Sequence, residues 1–492
     1  MISAWVAAGV VSMFAIQFRA ALWPLVALAG LALTSLPSLA LAQATASRAA
    51  AVDPNASHPN AGQPKANTPP PAESDYYAMP PRVQLWAIHA QTTLVEQGNL
   101  RFRSPYQGAN SLDPAAKGRE TFDATLYAGL RPWQGAEVWI NQEVDQGFGL
   151  SDTLGAAGFP SGEAYKVGKP YPYLRLQRAF IRQTIDLGGE TETVDADLNQ
   201  LGGSRTANRL VFTVGKFSVG DVFDTNKYAH DPRGDFLNWT IIDTGTFDYA
   251  ADAWGYSAGA AAEWYQGQWT TRAAVFDLSV VPNSTTLDGR LSQFQLIGEV
   301  ERRYKLGGRD GKIAVTGYLT RGRMARFADA IAAAGGGVPD PASVRRYASR
   351  TGIGANLEQQ LTDQLSLFAR VGVAEGDREA YEFTDVDRTL AAGLSLSGDR
   401  WGRKDDTVGL AGVVNAISKV HQQYLAAGGV GILVGDGQLP HYGAERIVEA
   451  YYSVAVRKDI KVSFDGQMLD NLAYNRDRGP ATVLAVRLHA QF

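Results

Sequence analysis

From Val83 to Phe492 apolar residues recur at every second position in segments of roughly 10 to 15 residues, the rhythm of strands with one apolar and one polar face. The last segment puts Thr482, Leu484, Val486, Leu488, Ala490 and Phe492 on one face and Val483, Ala485, Arg487, His489 and Gln491 on the other. Val448, Ala450, Tyr452, Val454 and Val456 alternate in the same way with Glu449, Tyr451, Ser453, Ala455 and Arg457. Phe464, Gly466 and Met468 alternate with Ser463, Asp465 and Gln467. Phe122, Ala124, Leu126, Ala128 and Leu130 alternate with Asp123, Thr125, Tyr127, Gly129 and Arg131. No apolar run in this stretch reaches the ~18 residues of a membrane-spanning helix. The 52 glycines and the 20 Tyr, 19 Phe and 10 Trp also suit sheets and turns better than helices.

About 16 such segments are marked by the pattern, each long enough to cross a bilayer when tilted. They lie near 83–97, 120–131, 136–146, 174–187, 208–218, 253–265, 269–278, 292–306, 311–323, 347–360, 364–375, 384–397, 405–418, 445–457, 459–471 and 481–492. Short connections (132–135, 266–268, 307–311, 361–363, 458) alternate with long ones (98–119, 147–173, 219–252, 279–291, 324–346, 419–444). The segment 188–207 is a long connection on the short side. The expected fold is all-β: a transmembrane antiparallel β-barrel with short periplasmic turns, long outer loops and both termini in the periplasm. Alternation by itself is equally compatible with a secreted β-sandwich, because it does not say which face is interior. The strand count, the regular alternation of connections and a C-terminal Phe492 resembling the assembly signal of outer-membrane barrels favour the barrel.

Ahead of this region stand two segments of different character. Residues 1–42 carry one charge, Arg19, an apolar stretch and a terminal Ala40-Leu41-Ala42, the pattern of a secretory signal peptide; a membrane anchor is the competing reading. Met13 would start a signal of ordinary length. Residues 43–82, rich in Ala, Pro, Asn and Ser, cannot bury a core and are expected to form a disordered leader. Zero cysteines exclude disulfides, thiolate metal sites and a thiol nucleophile. A net charge of −4 gives no reason to bind nucleic acid.

Several motifs carry a resemblance. Gly215-Lys216-Phe217-Ser218-Val219-Gly220-Asp221 leads to Tyr228-Ala229-His230-Asp231-Pro232-Arg233-Gly234-Asp235-Phe236-Leu237-Asn238-Trp239, and then to Phe247-Asp248-Tyr249-Ala250-Ala251-Asp252-Ala253-Trp254-Gly255-Tyr256. With Gly158-Phe159-Pro160-Ser161-Gly162-Glu163-Ala164-Tyr165, Val448-Glu449-Ala450-Tyr451-Tyr452 and the closing Tyr474 to Phe492, these stretches resemble the carbohydrate-selective porins of the OprB type across about 83–492. The resemblance implies a 16-stranded barrel, often trimeric, through which small sugars diffuse across the outer membrane of a Gram-negative bacterium. Lipid and lipopolysaccharide would surround it, and the barrel assembly machinery would insert it. A polysaccharide export channel or docking barrel, with the leader contacting a periplasmic partner, is the alternative.

Selectivity is expected in the connection 219–252. It holds seven aspartates (Asp221, Asp224, Asp231, Asp235, Asp243, Asp248, Asp252) against Lys227 and Arg233, a net −5, together with Phe223, Tyr228, Phe236, Trp239, Phe247 and Tyr249. Sugars present flat C–H faces and hydroxyl edges, so aromatic platforms beside carboxylates and guanidinium groups can take both. The candidate constriction residues are Asp221, Asp224, Lys227, His230, Asp231, Arg233, Asp235 and Trp239 on the loop, with Arg178, Arg182 and Glu143 on the wall. The facing row Asn141, Glu143 and Asp145 on the third strand would supply opposite charge, through its two carboxylates, across or beside the two arginines. An ordinary solvated outer loop and lumen charges paired along neighbouring strands are the bland alternatives.

Catalysis finds no support. Of six histidines, His58 lies in the leader, His230, His421 and His441 in loops, and His89 and His489 on the polar phase of their strands, away from the lipid-facing wall that a barrel lipid hydrolase needs. No two histidines have metal-ligand spacing, and Asp221 and Asp224 match no EF-hand loop. The run Gly428 to Gly435 matches a nucleotide-binding glycine motif only loosely and reads as the stop after a loop helix at 416–427. No cofactor or metal is expected.

Overall fold

A computed structural model describes residues 83–492; the expected signal peptide and leader lie outside the described residues. Strands β1 (Trp86–Asn99), β2 (Lys117–Leu130), β3 (Ala136–Gly147) and β4 (Lys169–Asp186) are followed by a small hairpin, β5 (Thr191–Val194) and β6 (Gly203–Thr206). Then come β7 (Arg209–Phe217), β8 (Ser257–Gln266), β9 (Trp269–Asp277), β10 (Phe294–Leu306), β11 (Arg309–Met324) and β12 (Arg346–Gln360). The chain ends with β13 (Leu365–Ala374), β14 (Arg388–Gly398), β15 (Arg403–Ala416), β16 (Glu445–Arg457), β17 (Ile460–Asp470) and β18 (Ala481–Gln491). All but β5 and β6 form one closed antiparallel barrel of 16 strands, each beside its neighbour in sequence except that β4 pairs with β7. The seam joins β18 to β1, where Ala90 and Phe492 exchange backbone hydrogen bonds of 3.0 and 2.8 Å.

Side-chain exposure settles which face is interior. On β17 Phe464 and Met468 are 55% and 53% exposed, whereas Ser463, Asp465 and Gln467 are buried. On β16 Val448 and Val456 are exposed while Glu449 and Tyr451 are buried, and on β18 Leu484 is exposed while Arg487 is buried. The polar phase therefore lines a filled lumen, and the apolar phase faces outward as a lipid-facing surface does. A β-sandwich has the opposite polarity, so that reading is overturned.

Several strand boundaries differ from the sequence pattern by three to five residues, two of them for a clear local reason. The fourth strand begins at Lys169 rather than 174, although Pro170 and Pro172 stand in it. Its first half pairs with β3 alone, since β7 joins only from Ala179 onward, so the prolines lack a partner strand on their free edge. The strand expected from 384 starts at Arg388. The N–H groups of Tyr381, Glu382 and Phe383 donate to Asp248 at 2.6–3.0 Å instead of to a ladder, so 375–387 is a long inward loop. The loop helix expected at 416–427 is the shorter α1 (Lys419–Ala426), because Ala416 still belongs to β15; Ser418 caps α1 by accepting from the His421 N–H at 3.1 Å.

Candidate functional site

The longest outer connection, 218–256, runs inward and crosses the lumen. At its root the Asp221 carboxylate takes the Nε and Nη2 of Arg178 on β4 at 2.8 and 2.7 Å, a bidentate pair. Asp224, at φ 55°, accepts from Thr244 N–H (2.6 Å), Asn356 Nδ2 of β12 (2.8 Å) and Arg370 Nε of β13 (3.4 Å), while its own N–H reaches Glu299 of β10 at 2.9 Å. Further on, Asn238 donates its N–H to Glu449 of β16 (3.0 Å) and its Nδ2 to Gln467 of β17 (3.1 Å), and Arg487 of β18 donates to the Pro232 carbonyl. The loop that leaves β7 and returns to β8 is thus tied to the wall on the far side of the barrel. Polar side chains on the inner phase exist to meet its backbone, because a loop inside a lumen must find partners for its N–H and C=O groups.

A second loop, 148–168, packs on the first: Trp239 N–H donates to the Phe159 carbonyl at 3.2 Å and Gly162 N–H to the Leu237 carbonyl at 2.7 Å. The two loops leave a cavity of about 410 Å³, lined among others by Tyr127, Phe159, Glu163, Arg178, Asp221, His230, Asp231, Arg233, Trp239, Tyr249, Trp254 and Tyr256. One side is aromatic. Trp239 stacks on Phe159 with ring centroids 5.3 Å apart and planes at 10°, and Tyr249 and Phe383 pack at 5.7 and 5.5 Å from Trp239. Trp254 lies under the Arg175 guanidinium at 3.5 Å.

The other side is charged. Arg233 stands 3.6 Å from Asp123, 3.7 Å from Glu143 and 3.5 Å from Glu163, so one guanidinium serves carboxylates from β2, β3 and the 148–168 loop. Burial pushes the Glu163 carboxyl up, and Arg233 offsets this only in part. His230 faces Asp243 across 3.3 Å and its Nε2 lies 3.0 Å from the Gly220 carbonyl. Burial pulls its imidazole down, but the hydrogen bond and charge of Asp243 outweigh that and raise it to about 9. The arrangement offers flat π-faces and a fork of charged hydrogen-bonding groups within one passage.

Of the residues singled out from sequence, Arg178, Asp221, His230, Asp231, Arg233 and Trp239 meet at this cavity, and Glu143 stands behind Arg233. Asp224 is consumed in anchoring, exposed Lys227 contributes its N–H to Glu358 at 2.7 Å, and Asp235 holds the turn by accepting from the N–H groups of His230 and Asp231 at 3.1 and 3.2 Å. The expected pairing of Asn141, Glu143 and Asp145 with Arg178 and Arg182 is corrected. Arg178 pairs with loop Asp221, Arg182 stands 3.7 Å from Glu137 and donates to the Asn199 carbonyl at 2.8 Å, and Glu143 faces Arg233. A bulge at Gln177 shifts the β3–β4 register and turns that side chain onto Glu143 at 2.9 Å. Phe159, Glu163 and Phe383 were not anticipated. The aromatic and acidic content of 158–165 is the same signal that marked 219–252, whereas Phe383 lay in the unassigned stretch 376–383 between two expected strands.

Below this cavity a larger one, about 1170 Å³, opens toward the short-turn end and is lined among others by Arg131, Trp133, Arg182, Arg209, Glu263 and Arg272. A closed barrel with apolar outer and polar inner faces, narrowed by inward loops, defines the class of outer-membrane channels. The chain belongs to the carbohydrate-selective porin, OprB family, whose sequence model matches residues 109–492. It is a sugar porin, and family and fold point to a channel rather than an enzyme. In fold it is similar to Pseudomonas putida OprB in a high-pH structure, at 16% identity and TM-score 0.62, over 83% of this chain and 94% of that one. A low-pH structure of the same protein follows at 14% and TM-score 0.46, covering 83% and 93%. The outer membrane channel DcaP of Acinetobacter baumannii follows at 9% and 0.44, covering 83% and 97%. A search of curated proteins returned no match.

Proposed function

We propose that small neutral sugars cross the outer membrane of a Gram-negative cell through the 410 Å³ cavity, with loop 218–256 as the constriction and Trp239 as the platform on which the pyranose face rides. The observation that carries this is the aromatic cluster of Trp239, Phe159, Tyr249 and Phe383 on one side of a passage whose other side is the Arg233 carboxylate set. A hexose needs both surfaces at once, C–H face on ring and hydroxyls on charge, whereas a simple ion needs only the second. The volume suits a mono- or disaccharide. A polymer in export would need a lumen that the crossing loop leaves open, so the export alternative is not favoured. Lipid and lipopolysaccharide would cover the outer face, and the barrel assembly machinery would insert the chain. Homotrimerisation is checked by the mass of the detergent complex.

The test is glucose entry into liposomes and glucose block of single-channel current. Purified protein should admit glucose faster than protein-free liposomes, and Trp239→Ala should weaken block by about tenfold, the scale of one aromatic contact. Glucose entry at the protein-free rate would sink the reading.

A further inference from the structure

The connection between β4 and β7 enters the lumen from the end opposite to loop 218–256. Its two roots are held together, Leu187 N–H donating to Asn208 O at 2.9 Å and Asn208 N–H to Gly188 O at 3.0 Å. Gly188 and Gly189 then turn the chain at φ 91° and 93°, values that L side chains rarely adopt. The β5–β6 hairpin follows as a sheet of its own. Its tip is tied to the inner wall and to both ends of the described chain. Arg182 Nη1 donates to the Asn199 carbonyl at 2.8 Å, Gln84 N–H donates to Gly202 O at 3.0 Å while Gln84 Oε1 takes the Gly202 N–H at 2.8 Å, and Gln491 Nε2 reaches Asp197 at 3.0 Å. Leu201 is buried in the same apolar cluster as Trp139. Leu198 and Asn199 line both cavities, as do Asp221 and Thr225 of the outer loop. The boundary between the constriction and the inner vestibule is therefore built from two loops entering from opposite ends.

Asn199 has the features of a ligand contact at that boundary. It is anchored through its main-chain carbonyl, in a left-handed conformation (φ 54°) that asparagine tolerates, which leaves the side-chain amide unused for anchoring. Its Oδ1 is shielded from solvent and finds no hydrogen-bond partner among the described residues. The indole Nε1 of Trp239, on the same cavity, is likewise buried without a partner. An uncharged acceptor and an uncharged donor on one passage fit the hydroxyls of a polyol, since buried polar groups gain most by being met.

Resting on the reading of this cavity as the sugar route, we propose that the periplasmic connection 187–208 forms a second sugar subsite at the floor of the constriction, with the Asn199 amide accepting a sugar hydroxyl and Leu198 closing against the ring.

The full-length protein in planar bilayers tests this with glucose as the probe in KCl. Asn199→Gly, which suits the left-handed backbone, should weaken glucose block about 3- to 10-fold, the range one net hydrogen bond supplies. Asn199→Asp keeps an acceptor oxygen and should retain most of the block. Wild-type block in Asn199→Gly, alongside weakened block in Trp239→Ala, overturns the floor subsite and leaves the constriction standing. Wild-type block in both variants overturns the sugar route itself, and the subsite with it. Equal loss in Asn199→Gly and Asn199→Asp also overturns the proposal, because it removes the role of the acceptor oxygen.

Discussion

At the scale of single residues, the aspartates of loop 218–256 divide by burial. Asp248 accepts three N–H groups of the 375–387 loop and pairs with Arg350 at 3.1 Å, both side chains almost wholly buried. Asp248→Ala leaves the buried Arg350 with only one carboxylate contact, the longer 3.5 Å one to Asp387, and three loop N–H groups unmet, and should cost about 3–5 kcal/mol, read as a lower denaturant midpoint of the folded barrel. The Asp231 carboxylate accepts only from the N–H of Arg233, two residues on, and the residue is exposed, so Asp231→Ala should change stability by less than about 1 kcal/mol and act on sugar block instead.

His230 predicts a pH dependence at the same scale. Asp243 raises it to about 9, with Arg370 opposing and Asp224 adding to the effect. A histidine raised on folding stabilises fully below its unfolded value of about 6.5, and this is lost as pH climbs toward 9, by about 3 kcal/mol at most. Thermal unfolding of wild type should therefore fall between pH 6.5 and 9 relative to His230→Gln, which lacks the titration. Parallel curves for the two proteins would refute the assignment.

At the scale of elements, the wall is fitted strand to strand. Gly129 of β2 lies opposite Trp139 of β3, and a Cβ at Gly129 would stand 2.5 Å from the indole ring. Gly129→Ala should lower barrel stability by about 1–3 kcal/mol, and adding Trp139→Leu should recover part of that loss; heat-modifiable gel mobility measures both. A single variant as stable as wild type would show that the ring moves freely. The same scale explains what the alternating pattern concealed. The strand expected from 384 begins only at Arg388, because the N–H groups of Tyr381, Glu382 and Phe383 just ahead of it are claimed by one distant carboxylate, so a long-range contact outweighs the local pattern.

At the scale of the whole molecule, the outside behaves as the inside of a soluble protein. Leu410, midway along β15, is 52% exposed, whereas the adjacent Ala411 is buried. Leu410→Arg should cost about 2–4 kcal/mol for folding into lipid vesicles, the depth-dependent cost of a cation at the midplane. A neutral result would mean that this face does not meet lipid.

Sixteen strands, their order and the alternation of turns and loops were legible in the sequence, because a strand's two faces are written by every second residue and a connection's length by counting. The richest loop was legible too, since Trp239, His230, Asp231 and Arg233 stand close together along the chain. What tertiary structure decided is which groups meet. Arg233 joins Asp123, Glu143 and Glu163, and Arg178 joins Asp221, only after the loop has crossed the lumen. Alternation likewise did not say which face was interior; only the strand count, the connection lengths and the C-terminal Phe492 argued for the barrel. Alternation is symmetric under exchange of inside and outside, and only closure of the barrel around its own loops breaks that symmetry.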